Sequence, residues 1–298
     1  MGMLSGMPPA VVAHRGASAY LPEHTRAAYA LAIEQGADGL ECDVRLSRDG
    51  HLVCLHDRRI DRTSTGRGVV SALPLDRLAA HRYDRDGKAG RGPDHQSVRG
   101  FSALPEGGSP PPLAAPDLPD LPDLGLLRFT DLLGMVRDTE RPVRLFVETK
   151  HPVRYRHLVE RRLVADLSDH GLLAPGADGT APVTVMSFSP SAVRRVRQYA
   201  PTLPTVLLMR SLAGRRRDGS LPPWADHAGP GIDLVRSDPD YVRRAASHGN
   251  DVYCWTVNEP SDIRLCADLG VHHIATDAPA ATLRTLANHS SATVADAV

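Results

Sequence analysis

The chain has 298 residues, 42% of them hydrophobic, and 35 basic side chains balance 35 acidic ones. That length supports one large domain or two small ones with a sizeable core. The neutral balance excludes a general electrostatic footprint for nucleic acid or an anionic membrane, so any affinity for anions must come from local placement.

The opening MGMLSGMPPAVVAHRG lacks a basic segment followed by a long apolar one, and no run reaches the length of a transmembrane helix. The expected location is the cytoplasm, with no integral membrane segment. The first strand is expected at residues 11–14, closing on His14 and Arg15 before Gly16. Thr25 then stands as the N-cap of a helix to residue 35, with Ala27, Ala28, Leu31 and Ala32 on one face. A second strand covers residues 39–46, SRDG turns the chain, and residues 51–56 form another strand. Four turn residues make a hairpin but not a parallel crossover. A simple antiparallel register pairs Leu46 with His51 and therefore Glu41 with His56, so residues 51–56 are read as a returning arm.

Later strands are expected at residues 144–148, 183–187, 205–209, 232–235, 252–257 and 273–276. Helices are expected at 130–138, 156–170, 190–199, 239–248, 261–269 and 280–287. Pro190 after Ser189 and Pro239 after Asp238 fit capped starts with proline in the first turn. Setting the arm aside leaves eight strand–helix units, the helix after Met209 carrying the weakest signal. Eight units point to an α/β fold of the (β/α)8 TIM-barrel type. The alternative, a doubly wound open sheet, lacks a GxGxxG after the first strand. Residues 58–125 break the rhythm with Gly, Pro, Asp and Arg, and Pro116–Gly125 reads PDLPDLPDLG, which should be extended. This segment is read as an insertion after the hairpin within one domain spanning residues 1–298. Residues 84–113 serve either as a lid or specificity loop or as a disordered tether, and the tail after His289 is expected to fray. Cys42, Cys54, Cys254 and Cys266 form no CxxC pair, so they are read as small buried side chains rather than a disulfide framework or zinc site.

Chemistry concentrates at the strand ends. Glu41 and Asp43, two apart on a strand, point to one face. Flanking apolar Leu40, Cys42 and Val44 argue that this face is interior, where two carboxylates need a cation. Hard oxygen donors at this spacing suit Mg2+ or Ca2+. Glu148 ends its strand and is a candidate third ligand, and Lys150, on the same side, is a candidate phosphate contact; the alternative is a surface Glu/Lys pair. His14 and His56, predicted at the same rim, suit a base and an acid near neutral pH. Arg15 offers bidentate donors to a phosphate. Trp255 is read either as a pocket wall for a polyol or as a core residue.

Together these residues closely resemble the glycerophosphodiester phosphodiesterase family. The matching elements are HRG at His14–Gly16, PE-x-T at Pro22–Thr25, E-x-D at Glu41–Asp43 and HD at His56–Asp57. They continue with E-x-K at Glu148–Lys150, SF at Ser187–Phe188, WTVN at Trp255–Asn258 and TDAP at Thr276–Pro279. The resemblance runs from Val11 to about Leu286. It implies a TIM barrel, one divalent cation held by Glu41, Asp43 and Glu148, and His14 and His56 as the acid/base pair. It also implies phosphate contacts from Arg15 and Lys150, and cleavage of small-molecule glycerophosphodiesters to glycerol 3-phosphate and an alcohol. The chain departs from the family at His24, where asparagine is usual. Phospholipase-D-like cleavage of lysophospholipids, a non-catalytic polyol-phosphate binder and a sugar isomerase are the competing readings. Four Phe and two Trp speak against an acyl-chain entrance, and the complete set of acids and histidines speaks against a binder.

Overall fold

A computed structural model describes residues 8–84, 124–176, 179–212 and 214–295. The chain builds β1 (Ala10–His14), α1 (Arg26–Glu34), β2 (Gly39–Leu46), β3 (Leu52–Cys54), α2 (Leu75–Ala79), α3 (Phe129–Arg137) and β4 (Arg144–Thr149). It continues with α4 (Leu158–Asp169), β5 (Val183–Ser187), α5 (Pro190–Tyr199), β6 (Thr205–Met209), β7 (His227–Pro230), α6 (Ile232–Ser237) and α7 (Asp240–Ser247). It ends with β8 (Asp251–Cys254), α8 (Pro260–Asp268), β9 (His273–Thr276) and α9 (Pro279–Ala295). Eight of the strands pair in parallel in the order β1-β9-β8-β7-β6-β5-β4-β2, and β1 also pairs with β2, which closes the TIM barrel. β3 hangs on β2 as an antiparallel arm.

Local chemistry starts the helices where the sequence indicates. The Thr25 hydroxyl accepts from the Ala28 amide and the Ser189 hydroxyl from the Ala192 amide, with Pro190 following. Gly16 is required for two reasons. Its φ is +82°, and a Cβ there would lie 2.7 Å from the Ala28 carbonyl carbon of α1. Inside the barrel, Val12, Phe146, Met186, Val206, Leu208, Tyr253 and Ala275 form an apolar plug, with the Phe146 and Tyr253 ring centroids 5.2 Å apart. Two larger apolar layers join the outer face of the strands to the helices.

Four expectations need correction. The tail after His289 does not fray at that point, because helix α9 continues to Ala295. The apolar run 232–235 is not a strand but lies in helix α6; the strand is His227–Pro230, whose composition (HAGP) gives almost no β signal. The hairpin register is shifted by one, pairing Leu46 with Leu52. The cause is a longer turn, in which the Ser47 amide donates to the His51 carbonyl and the Ser47 hydroxyl accepts from the His51 amide. The segment after Met209 forms only a short 3-10 turn, Gly214–Asp218. Most of the 84–113 segment and of the Pro116–Gly125 run lies outside the described residues. Residues before it do pack: Val53, Leu55, Ile60, Val70, Leu78 and Tyr83 bury one another in a small cluster beside the arm. All four cysteines are free and buried. Among the described residues, no helix is long and apolar enough to cross a membrane.

Candidate active site

Strand pairing assembles the site. In the parallel register His14 lies beside Glu41, and Asp43 lies beside Glu148; His14 and Glu148 stand at the C-terminal ends of β1 and β4, and Glu41 and Asp43 midway along β2, which runs on into the arm. His14, Arg15, Glu41, His56, Glu148, Lys150 and Trp255 line one cavity of about 440 Å3, its mouth included. Asp43 sits just beneath, 1% exposed, with Glu41 at 2% and Glu148 at 7%. One carboxylate oxygen from each of these acids lies within 4.8 Å of the others. The structure therefore brings together every site residue expected from the sequence.

Their charges are unevenly matched. Lys150 Nζ bridges Asp43 Oδ1 (3.1 Å) and Glu148 Oε1 (2.9 Å), and Arg15 Nε meets Asp43 Oδ2 at 3.1 Å. Burial alone would raise the Asp43 carboxyl, but Lys150 and Arg15 outweigh it and hold Asp43 well below the usual carboxylate range. Glu41 accepts from the Arg15 backbone N–H at 3.1 Å. Burial, followed by the Asp43 charge, pushes Glu41 well above its ordinary value, and burial pushes Glu148 up to about 7. Two interior acids that resist ionising beside a third that is fully ionised form an all-oxygen donor set still short of positive charge. A divalent cation of the Mg2+ or Ca2+ type fits it.

Each histidine is backed by a carboxylate. His14 Nδ1 donates to Asp277 Oδ1 (2.7 Å), which also accepts from the Ser18 hydroxyl (3.0 Å), and Asp277 Oδ2 accepts from Asn258 Nδ2 (2.8 Å). Burial would raise Asp277, but His14 and Asn258 bring it down to about 2, so it stays an acceptor. His56 Nδ1 donates to Asp57 Oδ1 at 2.7 Å, leaving Nε2 as the nitrogen that Asp57 does not engage. Burial, and then the Arg15 charge, lower His56 to about 3, so its ring is neutral at physiological pH. Asp57 in turn accepts from Arg62 Nε (2.6 Å), Arg62 makes a two-pronged pair with Glu23 (3.0 and 2.6 Å), and Glu23 accepts from Arg15 (3.3 Å). A continuous ionic chain thus fixes Arg15 and His56 relative to each other.

Asp277, Asn258, Arg62 and Glu23 had no role assigned from the sequence. Glu23, Asn258 and Asp277 fall inside recognised motifs, but only the closed barrel shows what they touch. Arg210 is a further addition to the rim: its guanidinium carbon lies 4.8 Å from the Phe188 ring centroid and 5.8 Å from that of Trp255. Trp255 itself is pinned by its indole N–H to the Gly229 carbonyl at 2.8 Å.

The sequence matches the Glycerophosphoryl diester phosphodiesterase family from residue 14 to residue 281. The chain belongs to the glycerophosphoryl diester phosphodiesterase family. This family member is 46% identical over 274 residues to a probable glycerophosphodiester phosphodiesterase 1 of Mycobacterium tuberculosis, covering 92% of this chain and 91% of that one. It is 31% identical over 273 residues to a glycerophosphodiester phosphodiesterase of Bacillus subtilis, covering 90% and 83%. Among solved structures, a putative glycerophosphoryl diester phosphodiesterase from Silicibacter pomeroyi superposes with TM-score 0.73 at 23% identity over 94% of both chains. An Oleispira antarctica phosphodiesterase in complex with the product sn-glycerol-3-phosphate superposes with TM-score 0.70 at 20% identity, over 94% of this chain and 97% of that one.

The departure at His24 touches the centre of this family member's site. His24 Nε2 donates to Asp43 Oδ2 (2.9 Å), and Nδ1 meets the Tyr29 hydroxyl (2.8 Å), which lies 3.0 Å from the Glu41 carbonyl oxygen. Its φ is +61°, a left-handed conformation that asparagine also tolerates. Removing the ring in His24→Ala strips a buried acid and a buried hydroxyl of a partner. A loss of about 1–3 kcal/mol in urea unfolding is expected, with His24→Asn closer to wild type because it keeps a donor and suits the backbone.

Proposed function

We propose that this enzyme hydrolyses glycerophosphodiesters to sn-glycerol 3-phosphate and an alcohol, with one divalent cation, Mg2+ or Ca2+, held by Glu41, Asp43 and Glu148. The observation that carries the reading is the shared cavity: three buried acids, two carboxylate-backed histidines and two cations converge on one rim. The product in the Oleispira neighbour is of the same chemical kind. When bound, the cation would draw charge from the phosphoryl oxygens. Arg15 and Lys150 orient the phosphate and offset its negative charge. One of His14 and His56 takes a proton from the attacking hydroxyl, and the other delivers one to the departing alkoxide. Asp277 and Asp57 hold the two rings by Nδ1, so Nε2 is the nitrogen each presents to the reaction. The attacking hydroxyl belongs either to water, which completes the cleavage in one such pair of proton transfers, or to the substrate's own glycerol 2-position, which forms a cyclic phosphate that water opens in a second pair. Trapping a cyclic phosphate in a single turnover tells them apart.

Residues 58–125 are read as an insertion within this one barrel domain, and the four free cysteines suit a reducing cytoplasm. The test is direct. sn-Glycerol 3-phosphate release is followed with glycerophosphocholine and glycerophosphoglycerol, and choline release with a lysophosphatidylcholine, before and after chelation. Cleavage of the two water-soluble diesters, lost with chelator and restored by Mg2+ or Ca2+, is the expected result. Cleavage of the lysolipid alone would replace this reading with the lipase one.

Cation affinity should also depend on pH with a defined sign. Glu148 titrates at about 7 in the ion-free site, so below that value a proton must leave before the cation enters. Calorimetric titration with Ca2+ should show affinity rising from pH 6 to pH 8, with protons released on binding near pH 6. Affinity independent of pH over this range would contradict the assignment of Glu148.

A further inference from the structure

Next to the active-site rim lies a second cavity of about 660 Å3, its opening included, lined by Arg45, Arg58, Arg154, Tyr155 and residues 70–71. The segments that carry the active site also deliver these arginines. Arg45 lies two residues beyond Asp43 on β2 and so shares its face. Arg58 lies two residues beyond His56, and Arg154 follows Lys150 by four. Arg45 donates through Nε (2.9 Å) and a terminal nitrogen (2.6 Å) to the His56 carbonyl oxygen, so the two cavities share a wall. The Arg154 guanidinium carbon stands 5.6 Å from the Tyr155 ring centroid, and the Tyr155 hydroxyl is fixed to the Ser71 carbonyl at 2.9 Å.

Elsewhere in this neutral chain Arg62 pairs with Glu23, Arg195 with Glu160 and Arg236 with Asp262. Arg45, Arg58 and Arg154 pair with no carboxylate among the described residues; their contacts are a carbonyl oxygen and an aromatic ring. Arg58 opposes the charge of Arg45, which Asp43, Glu148 and Asp57 offset in part, and an anion between the exposed Arg58 and Arg154 would relieve the rest. Planar guanidinium groups match the oxygens of a phosphate.

We propose that this cavity is a second phosphate-binding site, separate from the catalytic one, and that it takes either a further phosphate of the substrate's alcohol portion or free inorganic phosphate. The substrate arm rests on the reading that the main site hydrolyses glycerophosphodiesters. The experiment compares wild type with the double variant Arg58→Gln/Arg154→Gln, neither residue belonging to the catalytic set. For glycerophosphoinositol 4-phosphate against glycerophosphoinositol, the kcat/KM ratio of wild type should fall at least roughly tenfold in the variant, about the effect of losing one charge-assisted hydrogen bond. Activity on glycerophosphoinositol itself should stay near wild type. If the ratio holds but inorganic phosphate modulates wild-type turnover non-competitively and the variant not at all, the ligand is free phosphate. If neither changes, or both substrates lose activity equally, the proposal is overturned. If wild type cleaves neither substrate, the functional reading fails. The cavity is then tested alone by 31P line broadening of inorganic phosphate, which the variant should abolish; equal broadening in both proteins overturns it.

Discussion

Replacing His56 or His14 with alanine should each lower kcat by about 10²–10⁴-fold, the usual contribution of one positioned proton transfer. The fold should survive both changes. Arg45 holds the His56 segment through a backbone carbonyl that alanine retains, and neither histidine belongs to the three acids that would bind the cation. Circular dichroism and Ca2+ titration should therefore match wild type while turnover collapses. Asp277→Asn sharpens the test. An amide no longer demands the Nδ1 proton of His14, so the ring loses the tautomer that presents Nε2, and activity should fall with the imidazole still present. Full activity in either alanine variant would remove that histidine from the mechanism.

Asp43 and Glu41 should respond in opposite ways to neutralisation, though they stand two residues apart. Asp43 is the charge that Arg15, Lys150 and His24 all meet, at 3.1, 3.1 and 2.9 Å. Asp43→Asn takes from Arg15 and Lys150 the carboxylate they share, leaving only Glu23 and Glu148 beside them, and a loss of about 3–5 kcal/mol in urea unfolding is expected. Glu41 is different: burial and the Asp43 charge oppose its ionisation. Glu41→Gln should leave the ion-free protein as stable as wild type or more so, yet abolish cation binding and turnover, because a ligand oxygen carrying charge is gone. Equal destabilisation by both variants would mean that the charges are shared evenly and that no cation is called for at Glu41.

The sequence carried the parts of the fold that local chemistry decides. Strands β5 and β6 are mostly apolar runs bounded by turn residues, and they appear where the pattern places them. β7 was illegible because His, Ala, Gly and Pro pair by backbone alone, and the nearby Ile232, Leu234 and Val235 drew the strand reading onto what folds as a buried helix. The hairpin was legible as a hairpin but not in register, since one serine closing a longer turn shifts every pair. In the site, the acids and histidines announced themselves through residue type and strand spacing. Asp277 did not: it is 263 residues from His14, and only the pairing of β1 with β9 puts them in contact. Arg62 and Glu23, 39 residues apart, join for the same non-local reason.

The claim underlying all of this is that Glu41, Asp43 and Glu148 form a single cation site at the mouth shared with His14 and His56. Crystals soaked in Ca2+ or Mn2+, with anomalous difference density recorded, test it most directly. The account predicts one strong peak bounded by oxygens of those three carboxylates at about 2.0–2.6 Å. A peak elsewhere with that pocket filled only by Lys150, in a protein that still turns over after exhaustive chelation, would contradict it.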